Sequence, residues 1–114
     1  MRSMATSAAT RAARTDAIIV RVNRIIADLV PGYLDARRNE IAEIRRRIES
    51  RDLEALRVIG HQLKGSGEGY GFREITLFGA QIEDAARGGD LRTISEAANR
   101  LDRYVRSVTV VTEE

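Results

Sequence analysis

The sequence has no cysteine and no tryptophan, one histidine and one proline. Without a thiol there is no disulfide framework, no thiolate metal site and no cysteine nucleophile, and a cytoplasmic setting is the simplest fit. A lone histidine does not build a metal centre, and no acidic cluster stands out that would complete one, so no bound metal is expected. The aromatic residues are only Tyr33, Tyr70, Phe72, Phe78 and Tyr104. The core must therefore be mostly Ile, Leu, Val and Ala. No apolar run reaches the roughly 18 residues that a membrane span requires. An excess of one charge is also missing. The net charge is +2, and arginines are interspersed with acids, so neither nucleic-acid nor membrane binding is expected.

What remains is an ordinary globular composition, 43% hydrophobic and 32% charged over 114 residues. That length and balance fit one domain. Residues 1–15 are rich in Ala, Ser, Thr and Arg, and read as a disordered tail with some flavour of a transit peptide. Residues 16–114 form the domain.

Ala17 to Val22 is β-branched and reads as an extended lead-in, with a first helical turn as the alternative. Asn23 is placed to cap a short helix over Arg24 to Val30. Pro31-Gly32 bends or restarts the chain. A helix follows from Tyr33 to about Ser50, with Leu34, Ile41, Ile44 and Ile48 on its apolar stripe. Arg37 falls on that stripe. Its stem is expected to pack and its head to reach water; the sharper alternative pairs it with an acid on a neighbouring helix.

Asp52 caps the next helix, which runs to about Gly67 before a glycine-rich stretch ends it. A third helix covers Phe72 to Arg87 and stops at Gly88-Gly89. Asp90 caps the last one, Leu91 to about Arg106. Ser107 to Thr112 is β-branched and is expected to pair with Ile18 to Val22. The pattern is all-α: an antiparallel up-down-up-down four-helix bundle with a short N-terminal capping helix.

The only histidine, His61, lies on the second of these helices. At about 100° per residue, Leu53, Leu56, Ile59, Gly60, Leu63 and Gly67 share one arc. His61 falls roughly 150° from the centre of that arc, on the polar face. It is expected to be exposed, with Lys64 and Gly65 as neighbours at i+3 and i+4. Two glycines so close each cost about 1 kcal/mol of helix propensity. Packing explains Gly60, on the core side, but not Gly65, on the solvent side.

His61-x-Leu63-Lys64-Gly65-Ser66, with Gly71 ten residues after the histidine, resembles the signature of histidine-containing phosphotransfer (Hpt) domains. The longer run Gly60-His61-x-Leu63-Lys64-Gly65-Ser66-Gly67-x-Gly69-Tyr70-Gly71-Phe72 is similar to a bacterial branch of that family. The resemblance continues in Ile82-Glu83 and Gly89-Asp90, and more weakly from about Leu29 to Val105.

The resemblance implies a phosphocarrier rather than an enzyme. His61 is then the phosphorylated residue of a phosphorelay, taking the group from a receiver-domain aspartate or a kinase and passing it to another receiver. The partners implied are response-regulator receiver domains and a hybrid or sensor histidine kinase. Lys64 would offset phosphoryl charge. Gly65, Val58, Gln62 and Glu68 would leave access or line the docking surface. The family position of Glu83 often carries Gln or Glu bonded to the histidine; here a carboxylate on Nδ1–H would leave Nε2 to attack. Gly71 is assigned to backbone conformation, and Ser66, facing away from His61, to structure. No cofactor is expected on this chain; Mg2+ belongs to the partner receiver. The chain is expected to be a monomer.

Rival functions fit less well. The glycine-rich stretch follows a helix, lacks Walker spacing and has no βαβ setting, which argues against a nucleotide site. No Ser–His–acid arrangement is evident for a hydrolase. The remaining alternative is a helical module that docks receiver or kinase domains without transferring phosphate.

Overall fold

In the computed structural model of this protein, residues 18–113 are described. The tail expected over residues 1–15 lies outside them. The chain runs through strand β1 (Ile18–Asn23), a 3-10 turn (Ala27–Leu29), helices α1 (Val30–Glu49) and α2 (Leu53–Gly67), and a second 3-10 turn (Glu68–Tyr70). Helices α3 (Arg73–Arg87) and α4 (Leu91–Ser107) follow, then strand β2 (Val108–Glu113).

Helix α1 packs against α2 and α4, α2 against α3, and α3 against α4. The four therefore close a ring of neighbours. The links at 50–52, 68–72 and 88–90 are short. Consecutive packed helices joined so tightly must run in opposite directions, which is the up-down-up-down bundle. Ile44, Leu56, Leu63, Phe72, Ile75, Ile82, Ile94 and Leu101 meet in its centre, all fully buried. Burial of each such side chain is worth about 1.5–3 kcal/mol. The aliphatic bias of the composition is thus the composition of the core.

Local chemistry sets the helix boundaries. The Asp52 carboxylate accepts from the Ala55 N–H at 3.1 Å, and that of Asp90 from the Thr93 N–H at 3.0 Å. Both satisfy a donor that the first helical turn leaves free. Gly71 closes the second 3-10 turn at φ +90°, a conformation that costs glycine little. Phe72 is the residue before α3 rather than its first member.

The N-terminal boundary differs from expectation. Helix α1 begins at Val30, so Pro31 sits in its first turn instead of interrupting it. There the missing N–H has no partner to lose. The short helix expected over 24–30 is one 3-10 turn, and Asn23 serves the bend before it, accepting from the Ile25 N–H at 2.7 Å. Arg37 also differs. The guanidinium belongs to a side chain only 14% exposed, its Nε is buried, and among the described residues it pairs with no acid on a neighbouring helix. It lies 4.4 Å from the centre of the Tyr33 ring and pairs with Glu40 of its own helix at 3.0 Å.

The terminal segments do pair. Strands β1 and β2 are parallel, in register from Ile18 with Val108 to Asn23 with Glu113. Val22 is buried, whereas Ile19 and Val111 face outward. A two-stranded sheet is marginal alone; its packing against the bundle through Val20, Val22, Val108 and Val110 supports it.

Candidate functional site

Helix α2 carries His61 on its outer face, with the side chain 64% exposed. Leu56, Gly60, Leu63 and Gly67 point the other way and are buried. The amphipathic phase of the helix therefore dictates the exposure of the ring.

Beside the ring lies α3. Gly60 of α2 and Gly79 of α3 let the two backbones touch, and this brings Glu83 under His61. Glu83 is the one buried charged residue among those described, 1% exposed. Its Oε2 lies 3.0 Å from His61 Nδ1. Its Oε1 lies 2.7 Å from Lys64 Nζ. Arg87, one turn further along α3, reaches the same Oε2 through Nη2 at 3.1 Å. Three donors from two helices thus converge on one buried carboxylate.

Those donors hold the acid ionised. The hydrogen bond from Lys64 is the largest cause. The bond from His61 and the charges of Lys64 and Arg87 add to it against the opposing effect of burial, and the pKa falls from 4.5 to about 2. At neutral pH the group can only accept hydrogen bonds. His61 Nδ1 must then carry the proton it shares with Oε2, and in a neutral ring Nε2 keeps its lone pair. No hydrogen bond or ion pair of Nε2 is found among the described residues.

Val58 and Gln62 are exposed one turn before and one residue after His61. A Cβ added at Gly65 would meet nothing within 4 Å, so the face beside the ring is open. Glu68 is exposed in the turn that follows α2. Ser66 lies on another side. Its hydroxyl is 3.0 Å from that of Tyr33 and accepts from Arg37 Nη1 at 3.3 Å, tying α2 to α1. Lys64 stands near the ring, but its ammonium rests on Glu83.

Two participants were not among the sequence candidates. Arg87 is signalled only by its spacing: an acid followed four residues later by an arginine pairs on a helix face. Thr76 accepts from the Glu68 N–H at 2.8 Å and donates to the Lys64 carbonyl at 3.1 Å. It clamps the end of α2 to α3, and nothing in its sequence position announces that.

The family model of the Hpt domain matches residues 28–109 of this chain. The chain belongs to the Hpt domain family. No curated protein and no solved structure gives a significant match. Hpt domains are histidine phosphotransfer modules of two-component systems, carriers that interact with receiver domains and kinases. Among the described residues of this Hpt domain, no group of three or more His, Cys, Asp or Glu side chains is placed to hold a metal ion. No helix among them is long and apolar enough to cross a membrane.

Proposed function

We propose that His61 is the phosphoryl acceptor of this Hpt domain, charged by a receiver-domain aspartate or a kinase and discharged to another receiver. One observation carries the proposal: an imidazole 64% exposed whose Nδ1 is bonded to a carboxylate 1% exposed. The bond orients the ring, and the exposure makes its free nitrogen accessible to a protein partner.

The step balances without an additional reagent. The Nε2 lone pair attacks the phosphorus of an aspartyl phosphate. An N–P bond forms, and the P–O bond to the aspartate breaks. The electron pair leaves with that carboxylate. Nδ1 keeps its proton, the ring becomes cationic, and Glu83 faces the new charge. Lys64 lies close enough to offset charge on the phosphoryl oxygens. Mg2+ and most of the catalytic groups come from the receiver. Val58, Gln62, Gly65 and Glu68 form the surface on which it docks, and Gly65 leaves room for its loops.

The test is incubation with a radiolabelled, phosphorylated receiver domain. Acid-labile label is expected on the wild type and none on His61→Gln. If the wild type stays unlabelled while both forms bind the receiver equally, the chain is a docking module and the acceptor assignment is wrong.

A further inference from the structure

We infer that this chain forms a two-fold dimer in which the outer edge of β2 pairs, antiparallel, with the β2 edge of a second copy. The pairing uses a face that the phosphoryl site does not, and stands whether or not His61 is the acceptor. It replaces the monomer expected from the sequence.

The ladder decides which backbone groups are free. The Arg24 N–H donates to the Glu113 carbonyl at 3.2 Å, and Val22 stands beside Thr112. Each residue of a strand turns its N–H and C=O to one side, and the side alternates along the chain. Thr109, Val111 and Glu113 therefore turn theirs to β1. Val110 and Thr112 turn theirs away from it, and among the described residues no backbone partner for them is found outside the ladder. The far edge of β1 is covered at its middle by Gly71, where an added Cβ would lie 3.5 Å from the Arg21 carbonyl oxygen. The far edge of β2 is open. It carries neither the proline nor the lysine that commonly keep an edge strand from pairing.

Charge and sequence select a second copy as the occupant. Beside the open edge lies a groove of about 310 Å³, walled by Ala27, Val30, Pro31 and Leu34. Asp35 and Arg38 also line it, but they bond to each other at 2.6 Å, so the groove offers no net charge to an acidic or basic peptide. β2 is itself uncharged from Val108 to Thr112. It also fits its own reverse. With Val110 opposite Val110 of the second copy, Val108 meets Thr112 and Thr109 meets Val111 on both sides of the axis. Each pair sets one β-branched side chain against another, and no charge meets its like. Glu113 comes opposite Ser107 of the second copy, next in sequence to the basic Arg106. Ile18, Ile19, Ile25, Leu29 and Val111 are five of the seven exposed large apolar side chains among the described residues. All belong to the strands or to the bend between β1 and α1, so the surplus apolar surface is at this end. No residue of α2 or α3 lines the groove, and the dimer leaves both His61 rings open.

The test is sedimentation equilibrium of the full chain at concentrations up to about 1 mM. The mass is expected to rise to twice the 12.7 kDa of one chain. Val110→Pro removes an N–H that β1 does not use, so the ladder should survive. It takes both hydrogen bonds from the central pair of the dimer, and the dimer should weaken about tenfold or more. Should that variant fail to fold, a pair of thiols decides the matter. The sequence has no cysteine, so Thr109→Cys and Val111→Cys each carry one. Positions 109 and 111 of opposite copies form a pair without hydrogen bonds, with Cα atoms about 4.5 Å apart, within disulfide reach. Mixing the two variants under oxidation should give the mixed disulfide severalfold faster than either variant cross-links with itself. The inference fails if the chain stays monomeric up to that concentration, if folded Val110→Pro dimerises as tightly as wild type, or if the mixed disulfide has no preference.

Discussion

Gly60 and Gly79 face each other where α2 crosses α3. A Cβ added at Gly60 would lie 2.6 Å from the Glu83 backbone nitrogen and 2.9 Å from the Gly79 carbonyl oxygen. Backbone atoms cannot give way as a flexible side chain can. The absence of two side chains is therefore what allows Glu83 to stand under His61. The crossing fixes the distance between the ring and its carboxylate, and the site depends on it.

Gly60→Ala is expected to lower stability by about 1–3 kcal/mol, the usual cost of overpacking. The wedge must also push α3 away from the ring. The urea midpoint should fall, and the single histidine resonance should move as its bond to Glu83 lengthens. A variant of wild-type stability with an unchanged histidine signal would show that the crossing has slack.

His61→Ala tests the other half of that relationship. The side chain is mostly in water, and Glu83 keeps Lys64 and Arg87 as partners. Stability is expected to stay within about 0.5 kcal/mol of wild type, while phosphoryl acceptance disappears. Helical CD and the thermal midpoint serve as the check. A large loss of stability would mean that the ring holds the bundle together and is not merely displayed by it.

Much of this arrangement can be read from the order of the residues, because α2 is one uninterrupted helix with Asp52 at its start. A regular period along such a helix places Leu56, Gly60 and Leu63 inward and His61 outward with little ambiguity. The same holds for Asp90 and α4. Boundaries are less legible. Pro31 reads as a break, yet a proline in the first helical turn loses no hydrogen bond. Arg37 is less legible still. Periodicity places it on the apolar stripe, but its real partners are the Tyr33 ring, Glu40 and a serine contributed by α2. Only tertiary packing brings Ser66 there. For Glu83, the boundary position on α3 can be read; the convergence of three donors on it cannot, since two of them come from α2.

Glu83 makes a pH prediction with a definite sign. In the folded chain the group ionises near 2 rather than 4.5. Between those values the unfolded chain binds a proton that the folded chain refuses, so acid favours unfolding. The stabilisation is complete above the higher value and is lost as pH falls through the window. Glu83→Gln lacks this titration. The gap in urea midpoint between wild type and Glu83→Gln should therefore narrow as pH drops from 4.5 toward 2. A gap that stays constant across that range would mean the carboxylate is not held by its three donors.

Lys64→Ala is expected to act on both stability and chemistry. It removes the donor that bonds Glu83 Oε1 at 2.7 Å, leaving that oxygen of a buried carboxylate without its partner. The urea midpoint should drop further than in His61→Ala. The same change takes away a cation that would meet the phosphoryl group, so transfer from a phosphorylated receiver should slow or the phosphohistidine should decay sooner. Stopped-flow or gel-based transfer assays measure the rate. Unchanged transfer and lifetime would confine Lys64 to holding Glu83.

Gly65 separates access from stability. Nothing lies within 4 Å of a Cβ built there, whereas at Gly67 the same atom would sit 2.6 Å from the Thr76 nitrogen. Alanine at position 65 should therefore raise stability by about 1 kcal/mol, the helix-propensity difference between the two residues. Alanine at position 67 should lower it. A long side chain, as in Gly65→Gln, should also leave the fold intact, but it would project over the open face beside His61. Phosphoramidate is small and should still charge the ring of Gly65→Gln at close to the wild-type rate, while transfer from a receiver domain should slow. If both donors react at wild-type rates, partner loops do not pass over position 65, and the docking surface lies elsewhere around the ring.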